Sequence, residues 1–303
     1  MLPWLLALAG GAALLLLLGL FLSSRAMNVR PQSLEASRAW QEQYIDLSWL
    51  EKVQKKDYLV SCTDGYLLHV HLLGGTSPSS KMVILSHGYT DNHIGSLKYA
   101  RMYLQLGFDV LVYDLRGHGE NAPDFCSYAV REGRDLNALI RDTRKRFPGI
   151  RFLGIHGESL GGATSIASLR EHPDIDFVVD DCGFSEISSI LKAGMRRLHV
   201  PSCFFPVASL CARLRYGLFF HEMRPIDSLR SNTVPILFIH GLADDFIPPY
   251  HSEAMARANP ARSELFLVPG APHARSIFTD PEGYARAVSD FLKSLNIPVE
   301  DHP

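Results

Sequence analysis

Three residues far apart in the chain, Ser159, Asp244 and His273, have the types and the order that acyl transfer by a serine hydroxyl requires. A serine hydroxyl is a weak nucleophile at neutral pH. It needs an imidazole within hydrogen-bond reach to take its proton, and the imidazole needs a carboxylate to fix its tautomer. Ser159 lies in Gly157-Glu158-Ser159-Leu160-Gly161, a G-x-S-x-G pattern between the apolar run Phe152 to His156 and a stretch of helical pattern. In that context the glycines let a strand turn sharply into a helix with the serine exposed at the bend. Asp244 follows the run Ile236 to Gly241, and His273 ends Pro269-Gly270-Ala271-Pro272-His273 after the run Leu265 to Val268. Both fall just beyond the carboxyl ends of expected strands, where open α/β sheets collect functional groups, and Ser, Asp, His is the chain order for such a sheet.

Rival assignments exist for the acid: Asp245, and the pair Asp180 and Asp181 at another strand end. Of the thirteen histidines, His156 and His240 end buried strands and read as satisfied structural groups, while His69 and His71 alternate on one strand without the further ligands a metal site needs. The tetrahedral intermediate needs donors for its oxyanion. One is expected from the backbone N–H of Leu160, the residue after the nucleophile, and the second from Tyr89, whose N–H follows the turn at His87-Gly88. Gly117-x-Gly119 lacks the third glycine of a dinucleotide loop, so no cofactor is expected. Asp114 and Arg116 read as an ion pair or a loop brace.

Positioning these groups takes a mostly parallel sheet. After two strands, Tyr58 to Cys62 and Tyr66 to Leu73, joined by an Asp64-Gly65 hairpin turn, short apolar runs alternate with amphipathic segments. The runs are Met82 to Ser86, Val110 to Tyr113, Phe152 to His156, Phe177 to Asp180, Ile236 to His240 and Leu265 to Val268. Helical patterns cover Ser96 to Leu106, Arg131 to Arg146, Gly161 to Glu171, Pro249 to Ala258 and Pro281 to Leu295. This is the signature of an α/β fold with helices on both faces. Residues 184–232 break the alternation with a Leu-, Phe- and Arg-rich insertion too long for a simple crossover, which predicts a helical lid; a helix pair that merely completes the core is the alternative.

With 47% hydrophobic and 20% charged residues and a formal net charge of −2, the chain has an ordinary globular composition, which argues against nucleic acid as a partner. Five scattered cysteines without a C-x-x-C pair predict free thiols. Leu2 to Leu22 carries no ionisable side chain and reaches the roughly 20 residues of a membrane-spanning helix. The basic n-region of a cleaved signal peptide is missing. The expected division is therefore an anchor over 1–24, a juxtamembrane connector over 25–56 whose Trp40, Tyr44 and Trp49 pack on the domain, and a catalytic domain over 57–297. Single-pass attachment to the cell membrane follows. Arg25, Arg30 and Arg38 favour a cytoplasmic domain, although large domains can be translocated despite such charge, which leaves the side open.

The set His87-Gly88, Asp114-Leu115-Arg116-Gly117-His118-Gly119, Gly157-Glu158-Ser159-Leu160-Gly161, His240-Gly241 with Asp244, and His273 resembles the α/β-hydrolase fold family. Within it, the H-G-Y-T-D-N run and the G-E-S-L-G elbow behind a single anchor are similar to the bacterial serine aminopeptidase-like (S33-type) and acylglycerol-lipase-like branch. Where that family often carries a serine after Arg-Gly-His-Gly, this chain has Glu120-Asn121. The resemblance implies ester, thioester or amide hydrolysis through an acyl-enzyme and no cofactor. A small-molecule or lipid-like substrate with an apolar acyl group is favoured by Leu191, Leu198, Phe204, Phe205, Leu218 and Phe219 in the insertion. Peptidase action of aminopeptidase type and a non-catalytic membrane-anchored scaffold of the same fold remain as alternatives.

Overall fold

A computed structural model describes residues 1–75 and 79–300 of the chain. Eight strands form one sheet: β1 (Gln54–Ser61), β2 (Leu67–Gly74), β3 (Lys81–Ser86), β4 (Asp109–Tyr113), β5 (Phe152–Glu158), β6 (Phe177–Asp181), β7 (Ile236–Gly241) and β8 (Ser263–Val268), in the order β1-β2-β4-β3-β5-β6-β7-β8. The first two pair antiparallel through the expected turn, where Gly65 takes φ +83°, and β2 pairs antiparallel with β4. From β4 through β8 every pairing is parallel. Strands β3 to β7 are buried along their whole length except at Phe152, which opens β5, and this is why they read as mostly apolar runs instead of alternating ones.

Ten α-helices accompany the strands among the described residues: α1 (Leu2–Met27), α2 (Leu34–Gln41), α3 (Leu97–Gln105), α4 (Val130–Arg146), α5 (Leu160–Ser168), α6 (Ser188–Arg197), α7 (Phe205–Tyr216), α8 (Tyr250–Ala258), α9 (Ser276–Thr279) and α10 (Pro281–Ser294). Their apolar faces divide between two cores, one on each side of the sheet. Leu136, Leu139, Ile166 and Ile155 belong to one, and Tyr103, Phe108, Val288 and Phe291 to the other. The insertion between β6 and β7 carries α6 and α7. At the start of the chain, α1 runs to Met27, past the residue-24 boundary expected of the anchor, and is long and apolar enough to cross a membrane.

The connector packs as expected. Trp40 and Tyr44 lie against Phe278 with ring centroids 6.0 and 5.1 Å away, and the Arg275 guanidinium sits 4.7 Å from the Trp40 ring. Trp49 is packed against the second core. All five cysteines are free, with Cys62, Cys126, Cys182 and Cys211 buried and Cys203 exposed.

Asp114 and Arg116 do not pair with each other. Asp114 accepts from the backbone N–H of His93 at 2.7 Å and of Glu120 at 2.9 Å, bracing the loop after β4. Arg116 instead holds Asp135 of α4 through two bonds of 2.8 and 2.6 Å and reaches Asp124 at 3.2 Å. Both Arg116 and Asp135 are buried. Removing one partner strands the other charge, so Arg116→Met is expected to lose about 3–5 kcal/mol of stability in urea unfolding. A loss under about 1 kcal/mol, the range of an exposed pair, would contradict this account of the brace.

Candidate active site

Ser159 sits at the junction of β5 and α5 with φ 54° and ψ −112°, a conformation a non-glycine residue adopts only when its surroundings impose it. The surroundings are close backbone contacts. A Cβ on Gly157 would lie 2.2 Å from the Gly161 carbonyl oxygen, and one on Gly161 would lie 2.0 Å from that of Ser86. Glycine is therefore required at both positions to let α5 leave β5 so abruptly. The Ser159 N–H donates to Asp181 O at 2.8 Å, which ties the bend to β6.

His273 approaches from the loop after β8, and its Nε2 lies 3.0 Å from Ser159 Oγ. Its Nδ1 lies 2.6 Å from Asp244 Oδ2. The other Asp244 oxygen accepts from the N–H groups of Phe246 at 3.0 Å and Ile247 at 2.8 Å. Burial alone would raise the pKa of Asp244, but hydrogen bonds from His240 and His273 and the charge of the latter outweigh it and hold the carboxyl well below the usual carboxylate range. This arrangement can carry a proton from hydroxyl to imidazole and keep the imidazole oriented.

The rival acids stand elsewhere. Asp180 accepts from Gly183 N–H at 2.8 Å, and the hydroxyls of Tyr99 and Tyr284 each lie 2.9 Å from Asp181 Oδ2. Burial pushes the pKa of Asp180 up to about 7 and that of Asp181 up to about 6. Asp245 is exposed, and its backbone carbonyl accepts from Arg197 at 2.8 Å.

His156 is satisfied by two tyrosine hydroxyls, Tyr103 at 3.1 Å and Tyr284 at 2.9 Å, and burial lowers its pKa to about 3. His240 is also fully buried and bonded, to Ser252 Oγ and Ile247 O at 2.7 Å each, but its Nε2 lies 3.2 Å from Asp244 Oδ2 as well. The sequence showed it as a structural strand end; its hold on Asp244 was not visible there. His69 bonds Asn121, whereas His71 reaches Asp57 at 2.9 Å and Glu120 at 3.1 Å. Donor atoms of His71, His93, Asp114 and Glu120 lie within 4.8 Å of one another, yet both Asp114 oxygens already accept backbone N–H groups. The departure at Glu120 thus makes a local contact with His71.

Two cavities meet at Ser159. One, of about 250 Å³, is apolar and takes its walls from Tyr89, Tyr128 and the insertion, including Ile187, Leu191, Met195, Leu198 and Phe205. Phe204, Leu218 and Phe219 of the same insertion are not in that wall. Phe204 and Leu218 pack on the core, and Phe219 stacks on His221. The other cavity, of about 320 Å³, has a mixed lining that includes the polar and charged groups of Gln32, Asp91, Lys98, Glu158 and Arg275 beside Trp40. Lys98 and Glu158 form a buried ion pair directly behind the nucleophile's turn. Trp40 and Gln32 come from the connector, and nothing local in the sequence tied them to the site.

Residues 77–202 match the model of a family described as serine aminopeptidase, S33. The chain is 30% identical to the Bacillus subtilis protein YqkD over 255 residues, covering 82% of this chain and 83% of that one. It is 27% identical to the Saccharomyces cerevisiae membrane protein YNL320W over 63% of this chain and 62% of that one. Among solved structures, the Pyrococcus furiosus esterase Pf2001 superposes with a TM-score of 0.68 at 23% identity, over 88% of this chain and 98% of its own, a likeness of fold.

Because the folded-state pKa of Asp244 is depressed below its ordinary 3.8, its ionised form contributes stability that is present above that value and lost as pH falls below it. Asp244→Asn should therefore be less stable than the wild type at pH 7, with the gap narrowing below about pH 4. Thermal melts from pH 7 to 3 check this, and a gap independent of pH would count against the charge as its cause.

Proposed function

The chain belongs to the α/β-hydrolase fold family of the S33 serine aminopeptidase type, and from that premise we propose that it is a serine hydrolase acting through an acyl-enzyme on Ser159. The observation that carries this reading is the continuous chain of contacts from Ser159 Oγ through His273 to Asp244, at 3.0 and 2.6 Å. Ser159 Oγ attacks the carbonyl carbon while its proton passes to His273 Nε2, and the carbonyl electron pair moves onto oxygen. Collapse of the tetrahedral intermediate breaks the bond to the leaving group, which takes the proton from His273. Water then repeats the sequence on the acyl-enzyme and frees Ser159.

The N–H of Leu160 is the first of α5 and has no acceptor within the helix, which supports it as one oxyanion donor. The second is the N–H of Tyr89. It follows Gly88, where a Cβ would stand 3.7 Å from that of Ser159, so this loop is close to the reacting atom. His240 is a positioning residue that acts through Asp244.

Ester hydrolysis is favoured over peptide hydrolysis because the larger part of the apolar cavity beside Ser159 suits an aliphatic acyl group, and a solved neighbour is named an esterase. We assign α1 as a single-pass membrane anchor, 25–56 as the connector, 57–297 as the catalytic domain and 184–232 as its lid. A yeast relative named as a membrane protein supports the attachment.

Ser159→Ala should lose labelling by a fluorophosphonate probe and about 10³-fold or more of turnover on p-nitrophenyl esters while keeping its melting temperature. Retained esterase activity in that variant would end the serine mechanism. With the wild type, p-nitrophenyl butyrate should be cleaved faster than aminoacyl-arylamides at equal concentration; the reverse order would make the enzyme a peptidase.

A further inference from the structure

The end of α1 is part of the catalytic domain. The Tyr128 hydroxyl donates to Ala26 O at 2.5 Å, Cys126 N–H donates to Met27 O at 2.9 Å, and the Asn28 amide donates to the Tyr216 hydroxyl at 2.9 Å. Gly19 lets the helix cross α7 closely, since a Cβ there would lie 2.7 Å from Cys211 Sγ. Four bonded or packed points along the last turns fix the direction in which α1 leaves the domain, which a flexible tether would not do.

That same end faces the apolar cavity. Leu22, Arg25 and Ala26 line it together with Ser159, so one wall of the space beside the nucleophile is the anchor itself. Arg25 is the sole charged side chain among the described residues lining this cavity, and it is exposed. Toward the N-terminus the helix turns from buried to exposed: Leu5, Leu8 and Leu14 all stand in the open. Beside it, α7 presents Leu214 at 73% exposure and the end of α6 presents Leu198 at 71%. Exposed leucines on three neighbouring elements, around the root of a membrane-length helix, fit an apolar layer and not water.

We propose that the last two turns of α1 form a wall of the acyl site, and that the substrate is a long-chain acyl ester lying in the leaflet where the anchor ends. Its chain passes along α1 past Leu22 and Ala26 to Ser159 without crossing water. The inference rests on the serine-hydrolase reading and names the substrate class for that site. A chain that moves from the leaflet into this wall stays in apolar surroundings, so the roughly fourfold gain per methylene that transfer from water would give is an upper bound on the rise of kcat/KM with chain length.

The test uses the full-length protein in lipid nanodiscs, with p-nitrophenyl acetate, octanoate and laurate as substrates and a fluorophosphonate probe as an independent count of reactive Ser159. With each ester's concentration counted within the bilayer, the wild type should prefer laurate over acetate. Ala26→Trp fills the wall and should cut the laurate-to-acetate ratio by about tenfold, whereas Leu14→Trp, on the exposed stretch of the same helix, should leave the ratio as it was. Leu22→Ala opens the wall at a buried core position, so its melting temperature is followed alongside, and it should shift preference toward longer chains. A ratio unmoved in both Ala26→Trp and Leu22→Ala, with normal probe labelling, would overturn the assignment of the wall and leave the serine mechanism standing. A folded wild type that takes no label would instead remove the serine-hydrolase reading beneath it.

Discussion

The strained turn at Ser159 is the constraint on which the rest of the structure depends. Its backbone conformation, φ 54° and ψ −112°, costs on the order of 1–3 kcal/mol and persists only because the neighbouring strands leave no alternative. Gly157 and Gly161 permit the contacts, and the bond from Ser159 N–H to Asp181 O ties the bend to β6. Since β5 lies between β3 and β6 in the sheet, the bend stands on the most fully buried part of the fold. A hydroxyl held there has one orientation, and a single loop can bring an imidazole to it.

Behind that turn lies a buried polar network that has no direct part in the proposed chemistry. Tyr99 bridges Glu158 and Asp181 at 2.7 and 2.9 Å, Tyr284 joins Asp181 to His156, and Lys98 closes the set by pairing with Glu158. Buried polar groups are costly unless nearly all are satisfied, so such a network fixes its members to one arrangement. Here its members flank the nucleophile on both sides of the sequence, through Glu158 before it and Asp181 beside it. The strain at Ser159 is thus held by packed strands in front and by ionic and phenolic bonds behind.

The two cavities divide the surroundings of Ser159 by polarity. The apolar one draws its walls from the insertion and from α1, and the one that gathers the charged groups draws them from residues 32–40 and the loop after β8. Segments that precede the first strand therefore contribute to both sides of the site. A fragment starting near Ser33 would keep Trp40 but lack Leu22 and Ala26, so α1 cannot be cut away without opening the apolar wall.

The sequence by itself determined the eight strands and the longer helices that flank them, because burial on two faces and burial on one face each leave their own local periodicity, whereas the short α2 and α9 carry too few turns to show one. It also narrowed the candidates to Ser159, His273 and one of a few strand-end carboxylates, since G-x-S-x-G between a strand and a helix, followed by later strand ends, restricts where those side chains can emerge. Only tertiary structure decided between Asp244 and its rivals, placed His240 against Asp244, paired Arg116 with Asp135 instead of Asp114, and brought Trp40 and the end of α1 to the cavities. It also selected Leu191, Leu198 and Phe205 for the apolar wall and turned Phe204, Leu218 and Phe219 aside. Each of these depends on the path of a loop or the crossing angle of two helices. A local pattern records whether a residue is buried, but not which distant residue buries it.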